Sequence, residues 1–310
     1  MSTKKIYKIK KKNFIIFLLF IALFIFGIIE IIFCIGKLIT TSNNKEEEKE
    51  IIVKEKKEKD KDINKDKRLD ELENIDKKID YFNYNYIDRY INYKENNKEL
   101  SIEQIIKNVN MNLDKTHYED KIPAKNLNEE TILVNKYYYL DENYVPNNLE
   151  KINNQYALDN MKLVKEAKEA FEKLSKDALK EKLNIIAMSA YRSYSYQIDL
   201  YNRYAKSDGK EKADTYSGRP GHSEHQTGLA VDVYNKKLPY TSFENTKEYE
   251  WMMKNAYKYG FILRFPKDKE EETGYHFESW HYRYVGIDIA TYIKENNISF
   301  EEYYATKIKE

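Results

Sequence analysis

The pattern of apolar and polar positions predicts both helices and strands in the second half of the chain. Apolar residues recur at helical spacing over 154–183 and 246–259, and a tyrosine-rich stretch from residue 194 is expected to be helical until Gly209 ends it. Apolar or alternating runs predict strands in TILVNKYYYL (131–140), LNIIAMSAYRS (183–193), GLAVDVYN (228–235), FILRF (261–265) and HYRYVG (281–286). Because these elements alternate without the regularity of a parallel βαβ sheet, we expect an α+β fold with a small, mostly antiparallel sheet flanked by helices.

The N-terminal pattern predicts a membrane anchor. A basic head, residues 1–12, contains six lysines and precedes an apolar segment, residues 13–36, which has about the length of a helix that crosses roughly 30 Å of hydrocarbon. Glu30 lies near the outer end of this segment, where a carboxylate reaches interfacial water. The segment is longer than the core of a cleaved signal peptide, and no small-x-small cleavage site follows it. We therefore expect a single-pass protein of the cell membrane, with its N-terminus in the cytoplasm and the rest outside.

Composition divides the remainder of the chain into three parts. Residues 37–79 are mostly charged and are expected to form a solvated stalk. Residues 80–130 are rich in tyrosine and include LSIEQIIKNVNMNL, in which Ser101 and Gln104 have the spacing of a capping box. We expect residues 80–130 to be an accessory segment that packs on the main domain, residues 131–310.

The charge balance argues against a nucleic acid partner, and the cysteine content argues against disulfide bonds. The chain has 53 Lys and Arg against 52 Asp and Glu, so no excess of charge favours a nucleic acid partner. Its one cysteine, Cys34, lies in the predicted span, so the part outside the membrane contains no disulfide. Four of the five histidines lie between residues 222 and 281, and seven of the nine glycines lie between residues 209 and 286. This segment therefore has a chemistry of its own.

Two clusters in this segment offer metal ligands. In GHSEHQTGLAVDV, Asp232 falls within an apolar strand, where a carboxylate is costly unless it is paired or bound to a cation, and His225 lies seven residues earlier across a turn. In GYHFESWHYRYVG, Glu278 and His281 are three residues apart, so a bend at Ser279 is needed before both face one site. Two imidazoles and one carboxylate suit a catalytic zinc ion with an open position for water. Glu278 would then be free to act as a general base.

Spacing alone leaves plainer interpretations open. His225 and Asp232 also have the spacing of a hydrogen-bonded pair in a loop, and His281 has the surroundings of a packed, satisfied histidine. For His222 and His276 we expect structural roles or roles that support the ligands.

Four segments together resemble the VanY-type D-alanyl-D-alanine carboxypeptidases. SEHQTGLAVD is similar to that family's metal motif, Ser-x-His-x-x-Gly-x-Ala-x-Asp, and ESWHYRYVG is similar to its Glu-x-x-His element. SAYRSYSYQ resembles the family's arginine element, and ILVNKYYYLDENYVP resembles its usual domain opening. The segments occur in the family's order from near residue 131 to near residue 289, and two matched histidine motifs together are far more specific than either alone.

The resemblance implies a metal centre and a base. It implies that one Zn²⁺ per chain is held by His225, Asp232 and His281, and that Glu278 takes the proton of the zinc-activated water. Ser279 stands where many members of the family have proline. This difference removes no functional group, but it is expected to loosen Glu278 slightly because proline would pre-set the backbone.

The resemblance also implies residues that contact the substrate. Arg192 corresponds to the arginine that stabilises the transition state and binds substrate, although an arginine after a buried strand is also consistent with a surface salt bridge. Gln197, Ser223 and Tyr275 match positions that hold the substrate's terminus.

The sequence thus predicts a membrane-anchored zinc metallopeptidase that removes the C-terminal D-Ala from peptidoglycan stem peptides. An L,D-carboxypeptidase or an endopeptidase that cuts crosslinks would use the same residues. A cell-wall binding domain with a structural zinc is the alternative from another class, but such a site normally has four protein ligands and needs neither Glu278 nor Arg192.

Overall fold

The computed structural model describes residues 29–33 and 79–308 of the chain. The chain divides into two units, residues 1–71 and residues 72–310. In the first unit, residues 29–33 are helical and their apolar side chains are exposed. No helix among the described residues is long and apolar enough to cross a membrane. The rest of the predicted span (13–36) and nearly all of the predicted stalk (37–79) lie outside the described residues, so both stay predictions.

The second unit contains helices of very different length, separated by short strands. The helices are α1 (Ile87–Asn96), α2 (Ile102–Asn110), α3 (Lys165–Lys180), α4 (Tyr194–Asp208), α5 (Lys210–Ala213), α6 (Lys247–Asn255), α7 (Glu270–Thr273), α8 (Ile287–Asn296) and α9 (Phe300–Lys307). The strands are β1 (Ile122–Pro123), β2 (Tyr138–Tyr139), β3 (Leu149–Lys151), β4 (Lys162–Val164), β5 (Ile186–Ser189), β6 (Ala230–Tyr234), β7 (Phe261–Leu263) and β8 (His281–Tyr284).

Four of the described strands form an antiparallel sheet in the order β5-β6-β8-β7. Asp232 of β6 lies directly opposite His281 of β8. Because side chains alternate between the two faces of a strand, Val231 and Val233 enter the hydrophobic core while Asp232 faces the other way. The register of β5 against β6 shifts between Ala187 and Ser189, which is a β-bulge next to the end of β5. The sheet therefore brings the ends of β5, β6 and β8 to one place.

The expected mixture of helices with a small, mostly antiparallel sheet is confirmed. The predicted strands in 183–193, 228–235, 261–265 and 281–286 correspond to β5, β6, β7 and β8. Helix α4 ends at Gly209, as its sequence predicts. Helix α6 begins after Thr246, whose side chain accepts a hydrogen bond from the backbone of Tyr249, and a 3₁₀ turn continues it to Tyr259.

Two predicted elements are wrong in extent. In 131–140 only Tyr138 and Tyr139 form a strand, because the Asn135 side chain accepts hydrogen bonds from the N–H groups of Tyr137 and Tyr138 and turns the chain. In 154–183 the helix does not begin until Lys165. The preceding residues 162–164 instead form β4, which pairs with β3 in an antiparallel hairpin.

Residues 80–130 pack on the main domain within the same unit. Helix α2 has the predicted capping box, in which the Ser101 side chain and the Gln104 side chain each bond the other's backbone N–H. Strand β1 pairs in parallel with β2, and the side-chain amide of Asn110 donates to the carbonyl of Ala305 in α9. The segment is therefore joined to α9 as well as to residues 131–140.

Candidate metal centre

His225 is held so that one ring nitrogen keeps a free lone pair. It lies in the short 3₁₀ helix Glu224–Thr227, which Gly228 ends in the left-handed conformation with a φ of 70°. Its Nδ1 lies 2.7 Å from the carbonyl oxygen of Ala190, so Nδ1–H donates and Nε2 carries the lone pair. Nε2 is buried, and no donor within the described part of the chain reaches it. It lies 3.3 Å from Oδ2 of Asp232.

The ionisation of these two side chains makes a cation favourable between them. Burial, with the nearby charge of Arg192, lowers the pKa of His225 to about 4 and keeps the ring neutral. Burial opposes ionisation of Asp232, but its contacts with the two histidines, of which His281 carries the positive charge, hold its pKa well below its ordinary value. An imidazole lone pair and a carboxylate oxygen therefore face each other without a proton between them. A bound cation removes this repulsion, so the donor set fits a metal ion.

His281, the first residue of β8, completes a group of three. Its Nδ1 lies 2.9 Å from Oδ1 of Asp232, and its ring stacks on Phe265 with 4.9 Å between centroids. His225, Asp232 and His281 are all buried, and they offer ligand atoms that lie within 4.8 Å of one another. Burial works against protonation of His281, but the carboxylates of Asp232 and Glu224 raise its pKa to about 9. A metal bound at this ring therefore displaces a proton.

Glu278 lies beside the group because the chain turns sharply before β8. The N–H of His281 donates to the carbonyl of Glu278 across 3.4 Å, which closes a turn at Ser279 and Trp280. The bend that the sequence requires is therefore present. Oε2 of Glu278 lies 3.8 Å from Nδ1 of His281. Burial, with the charge of Asp232, raises the pKa of Glu278 to about 8, a value suited to taking and returning a proton near neutral pH.

Arg192, just after β5, links the group of three to Gln197 of α4. Its Nη2 donates to Oδ2 of Asp232 and its Nη1 to Oε1 of Gln197, each across 3.2 Å. The Gln197 amide in turn donates to the carbonyl of Gly218 across 2.7 Å. Arg192 is therefore not a surface salt bridge. Its Nε is buried and has no hydrogen-bond partner in the described part of the chain.

All of these residues line one open cleft of about 890 Å³. The cleft contains every site residue that the sequence predicts, namely Arg192, Gln197, Ser223, His225, Asp232, Tyr275, Glu278 and His281. Ser223 and Tyr275 are both buried, and the hydroxyl of Tyr275 lies 3.4 Å from that of Tyr118. Tyr240 and Trp280, which sequence reasoning did not single out, stack edge to face at 4.9 Å and form part of the wall.

Of the two remaining histidines of the segment, His222 has the expected structural role, whereas His276 lies at the surface and, among the described residues, contacts no ligand of the site. Nδ1 of His222 donates to the carbonyl of Asn135 across 2.8 Å, which ties the loop before His225 to the segment preceding β2. His276 is exposed and lies 3.3 Å from a carboxylate oxygen of Glu270.

A buried charge network behind His281 was not predicted. Glu224 is buried between Arg264, which directly follows β7, and Arg283 of β8. Arg264 also binds Glu301 of α9. Burial opposes ionisation of Glu224, but the two guanidinium groups hold its pKa below its ordinary value. The signal in the sequence was an arginine inside each of two apolar strands, FILRF and HYRYVG, because a buried charge requires a partner.

Comparison with known proteins identifies the family of the chain. The sequence profile of the family described as VanY, D-alanyl-D-alanine carboxypeptidase, matches residues 160–287. The chain is 33% identical over 235 residues to a D-alanyl-D-alanine carboxypeptidase of Enterococcus faecium, an alignment that covers 69% of this chain and 74% of that protein. It is 40% identical over 185 residues to YodJ of Bacillus subtilis, which covers 56% of this chain and 66% of that protein.

Solved structures with the same fold include enzymes of two specificities. The LdcB LD-carboxypeptidase superposes with a TM-score of 0.57 at 36% identity, covering 62% of this chain and 92% of that one. A variant of the vancomycin-resistance D,D-pentapeptidase VanY in complex with Zn(II), in which a glutamate is replaced by alanine, superposes with a TM-score of 0.50 at 33% identity. That superposition covers 56% of this chain and 98% of the other.

Proposed function

Because this chain belongs to the VanY family of D-alanyl-D-alanine carboxypeptidases, we propose that it is a zinc-dependent D,D-carboxypeptidase. Its substrate would be the peptidoglycan stem peptide, from which it removes the C-terminal D-Ala. The observation that carries the proposal is the cleft itself, in which three buried side chains that can bind a metal, a further glutamate and an arginine lie together. Three protein ligands leave an open position, as in catalytic rather than structural zinc sites.

The metal would be held by His225, Asp232 and His281. Zinc, when bound, supplies a Lewis acid that polarises the scissile carbonyl and lowers the pKa of water towards about 7. The complex of Zn(II) with a VanY relative supports this choice of metal.

Residues of this chain supply the remaining steps. Glu278 takes the proton of the attacking water and returns it to the amine of the departing D-Ala. The guanidinium of Arg192, already oriented by Asp232 and Gln197, stabilises the negative charge that develops on the carbonyl oxygen. Gln197, Ser223 and Tyr275 form the wall that receives the substrate's terminus.

The predicted anchor supports a location where this substrate occurs. A single span with its N-terminus in the cytoplasm would place residues 79–308 outside the membrane, and the charged stalk would let the domain reach the wall. This proposed location rests on the sequence of residues 1–79 alone.

The test uses the full-length chain purified in detergent, with pentapeptide and tetrapeptide stems as substrates and mass spectrometry as the readout. We expect loss of one D-Ala from the pentapeptide, and we expect a chelator to abolish it. The Glu278→Ala variant should keep its zinc while its turnover falls by about 10²–10⁴-fold, because the base is lost but the ligands are not.

The matched control is Glu250→Ala, which removes an exposed glutamate of α6 and should leave the rate unchanged. Wild-type turnover by the Glu278→Ala variant would show that the assigned mechanism is wrong. Failure of the wild-type chain to cleave either stem would contradict the proposed carboxypeptidase activity.

An L,D-carboxypeptidase is the second candidate, supported by the fold and 36% identity shared with LdcB. The same catalytic residues serve both reactions, and the shape of the cleft decides between them. Loss of D-Ala from the tetrapeptide in the same experiment would assign the chain to the L,D class.

A further inference from the structure

We propose that Glu224 is a positioning residue for the metal centre. It would accept a hydrogen bond from Nε2–H of His281 and so present Nδ1 of that ring to the metal. The inference rests on the proposed zinc site and assigns a role to a residue that lies behind the ligands.

The two nitrogens of His281 face different groups. Nδ1 lies 2.9 Å from Asp232 and 3.8 Å from Glu278, on the side of the cleft. Nε2 lies 3.5 Å from Oε2 of Glu224, a few tenths of an ångström beyond the usual N–H···O range of about 2.7–3.2 Å, so a small shift of the ring on metal binding would close the bond. An imidazole that binds a metal through one nitrogen carries its proton on the other, and the acceptor of that proton fixes the tautomer and the ring orientation. Glu224 stands where this acceptor is needed.

The carboxylate of Glu224 is itself held in one orientation. Oε1 accepts from Nε of Arg264 across 2.8 Å and from Nη1 of Arg283 across 2.9 Å. Among the described residues, Oε2 has no hydrogen-bond partner other than His281. The pair of arginines therefore fixes which oxygen of Glu224 faces the ring.

The arginines are anchored in turn on distant parts of the fold. Arg264 donates to both carboxylate oxygens of Glu301 in α9, at 2.8 and 2.6 Å. Arg283 donates to the carbonyls of Glu130 and Ile132, at 3.0 and 2.7 Å. Both arginine side chains are fully buried, so neither has water as an alternative partner. The support of His281 is rigid because every charge behind it is paired.

Replacing Glu224 with Gln tests the hydrogen bond and preserves the shape. The two arginines both donate to one oxygen, so they should hold the carbonyl oxygen of the new amide and turn its NH₂ group towards His281. An NH₂ group is a donor, so it favours the lone pair on Nε2 and the proton on Nδ1, the nitrogen that the metal needs. We expect the zinc affinity of Glu224→Gln to fall by about 10–100-fold.

The measurement is the zinc dissociation constant of the full-length chain in detergent, by competition with a chromophoric chelator. Glu301→Gln is the matched control, because it weakens the same buried network at Arg264 without touching His281. It should lower the melting temperature while it changes zinc affinity by no more than about twofold. Unchanged affinity in Glu224→Gln, or an equal loss in both variants, would overturn the positioning role.

A second measurement needs no variant and covers the case in which Glu224→Gln fails to fold. With only five histidines in the chain, ¹⁵N labelling of histidine allows the His281 ring to be followed in the zinc-loaded wild-type protein. We expect a slowly exchanging proton on Nε2. A proton on Nδ1 would overturn the inference, whereas failure of the wild-type chain to bind zinc at all would instead contradict the proposed metal centre on which it rests.

Discussion

At the scale of single residues, Ser279 lies where the chain turns between Glu278 and His281. It occupies the second position of the turn that runs from Glu278 to His281, and that turn brings a carboxylate and an imidazole three residues apart to within 3.8 Å. On a regular strand the two side chains would face opposite sides. The turn is therefore a requirement of the site.

Replacing Ser279 with Pro should stabilise the protein. Proline is favoured at the second position of such a turn, and it reduces the freedom of the unfolded chain, so we expect a gain of about 0.4–1 kcal/mol in the free energy of unfolding. Turnover should stay the same or rise, because Glu278 becomes better fixed. Urea unfolding and the carboxypeptidase assay measure the two effects, and a loss of stability would show that Ser279 has a backbone conformation that proline does not fit.

The residues that touch the metal and the substrate could be predicted from sequence, whereas those that support them could not. His225, Asp232 and His281 belong to short motifs whose spacing can be compared directly. Glu224 and Arg264 are 40 residues apart, and only the fold shows that they pair. An arginine within an apolar strand indicates a buried charge, but the sequence does not show which residue pairs with it.

At the scale of secondary structure, the N-terminus of α4 positions two residues of the site. The side chain of Ser193 accepts a hydrogen bond from the backbone of Tyr196 and caps the helix. Arg192 precedes this cap, and Gln197 lies in the first turn after it. The cap therefore sets the direction of both side chains in the cleft.

Removing this cap should affect activity as well as stability. Ser193→Ala should cost about 1 kcal/mol of stability. It should also lower turnover, because the start of α4, which positions Arg192 and Gln197, becomes less well fixed. Ser101→Ala removes the equivalent cap of α2, far along the chain from the cleft, and should cost about the same stability without a change in turnover. Thermal melts and rate measurements on both variants test this difference. Equal rates in the two variants would contradict a role for the α4 cap in the site.

Elements with a clear local pattern were predicted well, whereas β4, whose local pattern is helical, was not. Strand β6 and helix α4 follow their own periodicity and end signals. By contrast, residues 162–164 have helical spacing but form a strand, because residues 149–151 offer a pairing partner. The local sequence pattern cannot show this outcome, because it depends on a strand elsewhere in the chain.

Over the whole molecule, the support of the site extends beyond the stretch that matches the family profile. That stretch is residues 160–287, but Asn135 accepts from His222 and Glu301 binds Arg264. The segment before β2 and the last helix thus hold the cleft from two sides. The sequence motifs predict the ligands, but only the fold shows that both ends of the domain contact the segments that carry them.

The buried His222 should make the stability of the domain depend on pH. Burial, with the charges of Lys121 and Arg219, lowers the pKa of His222 to about 4 from an ordinary value near 6.5. Below pH 6.5 the unfolded chain binds a proton that the folded chain does not, so stability falls as the pH falls. This residue alone should cost about 2 kcal/mol between pH 7 and pH 5.

Comparison with His222→Gln isolates this effect from that of other groups. Urea unfolding of both proteins is measured at each pH with chelator present. Between pH 7 and pH 5 the free energy of unfolding should fall by about 2 kcal/mol more for the wild-type chain than for the variant. Parallel curves for the two proteins would mean that His222 keeps an ordinary pKa in the folded state.

The register that sets Asp232 opposite His281 also determines when a metal can be acquired. These residues are 49 positions apart, so they meet only once β6 has paired with β8, a non-local step in folding. A slip of one residue would turn Asp232 to the opposite face and leave the ligands incomplete. We therefore expect metal uptake to follow folding. An ion that binds only the finished register stabilises correctly paired chains and no others, and in this way it acts as a check on assembly.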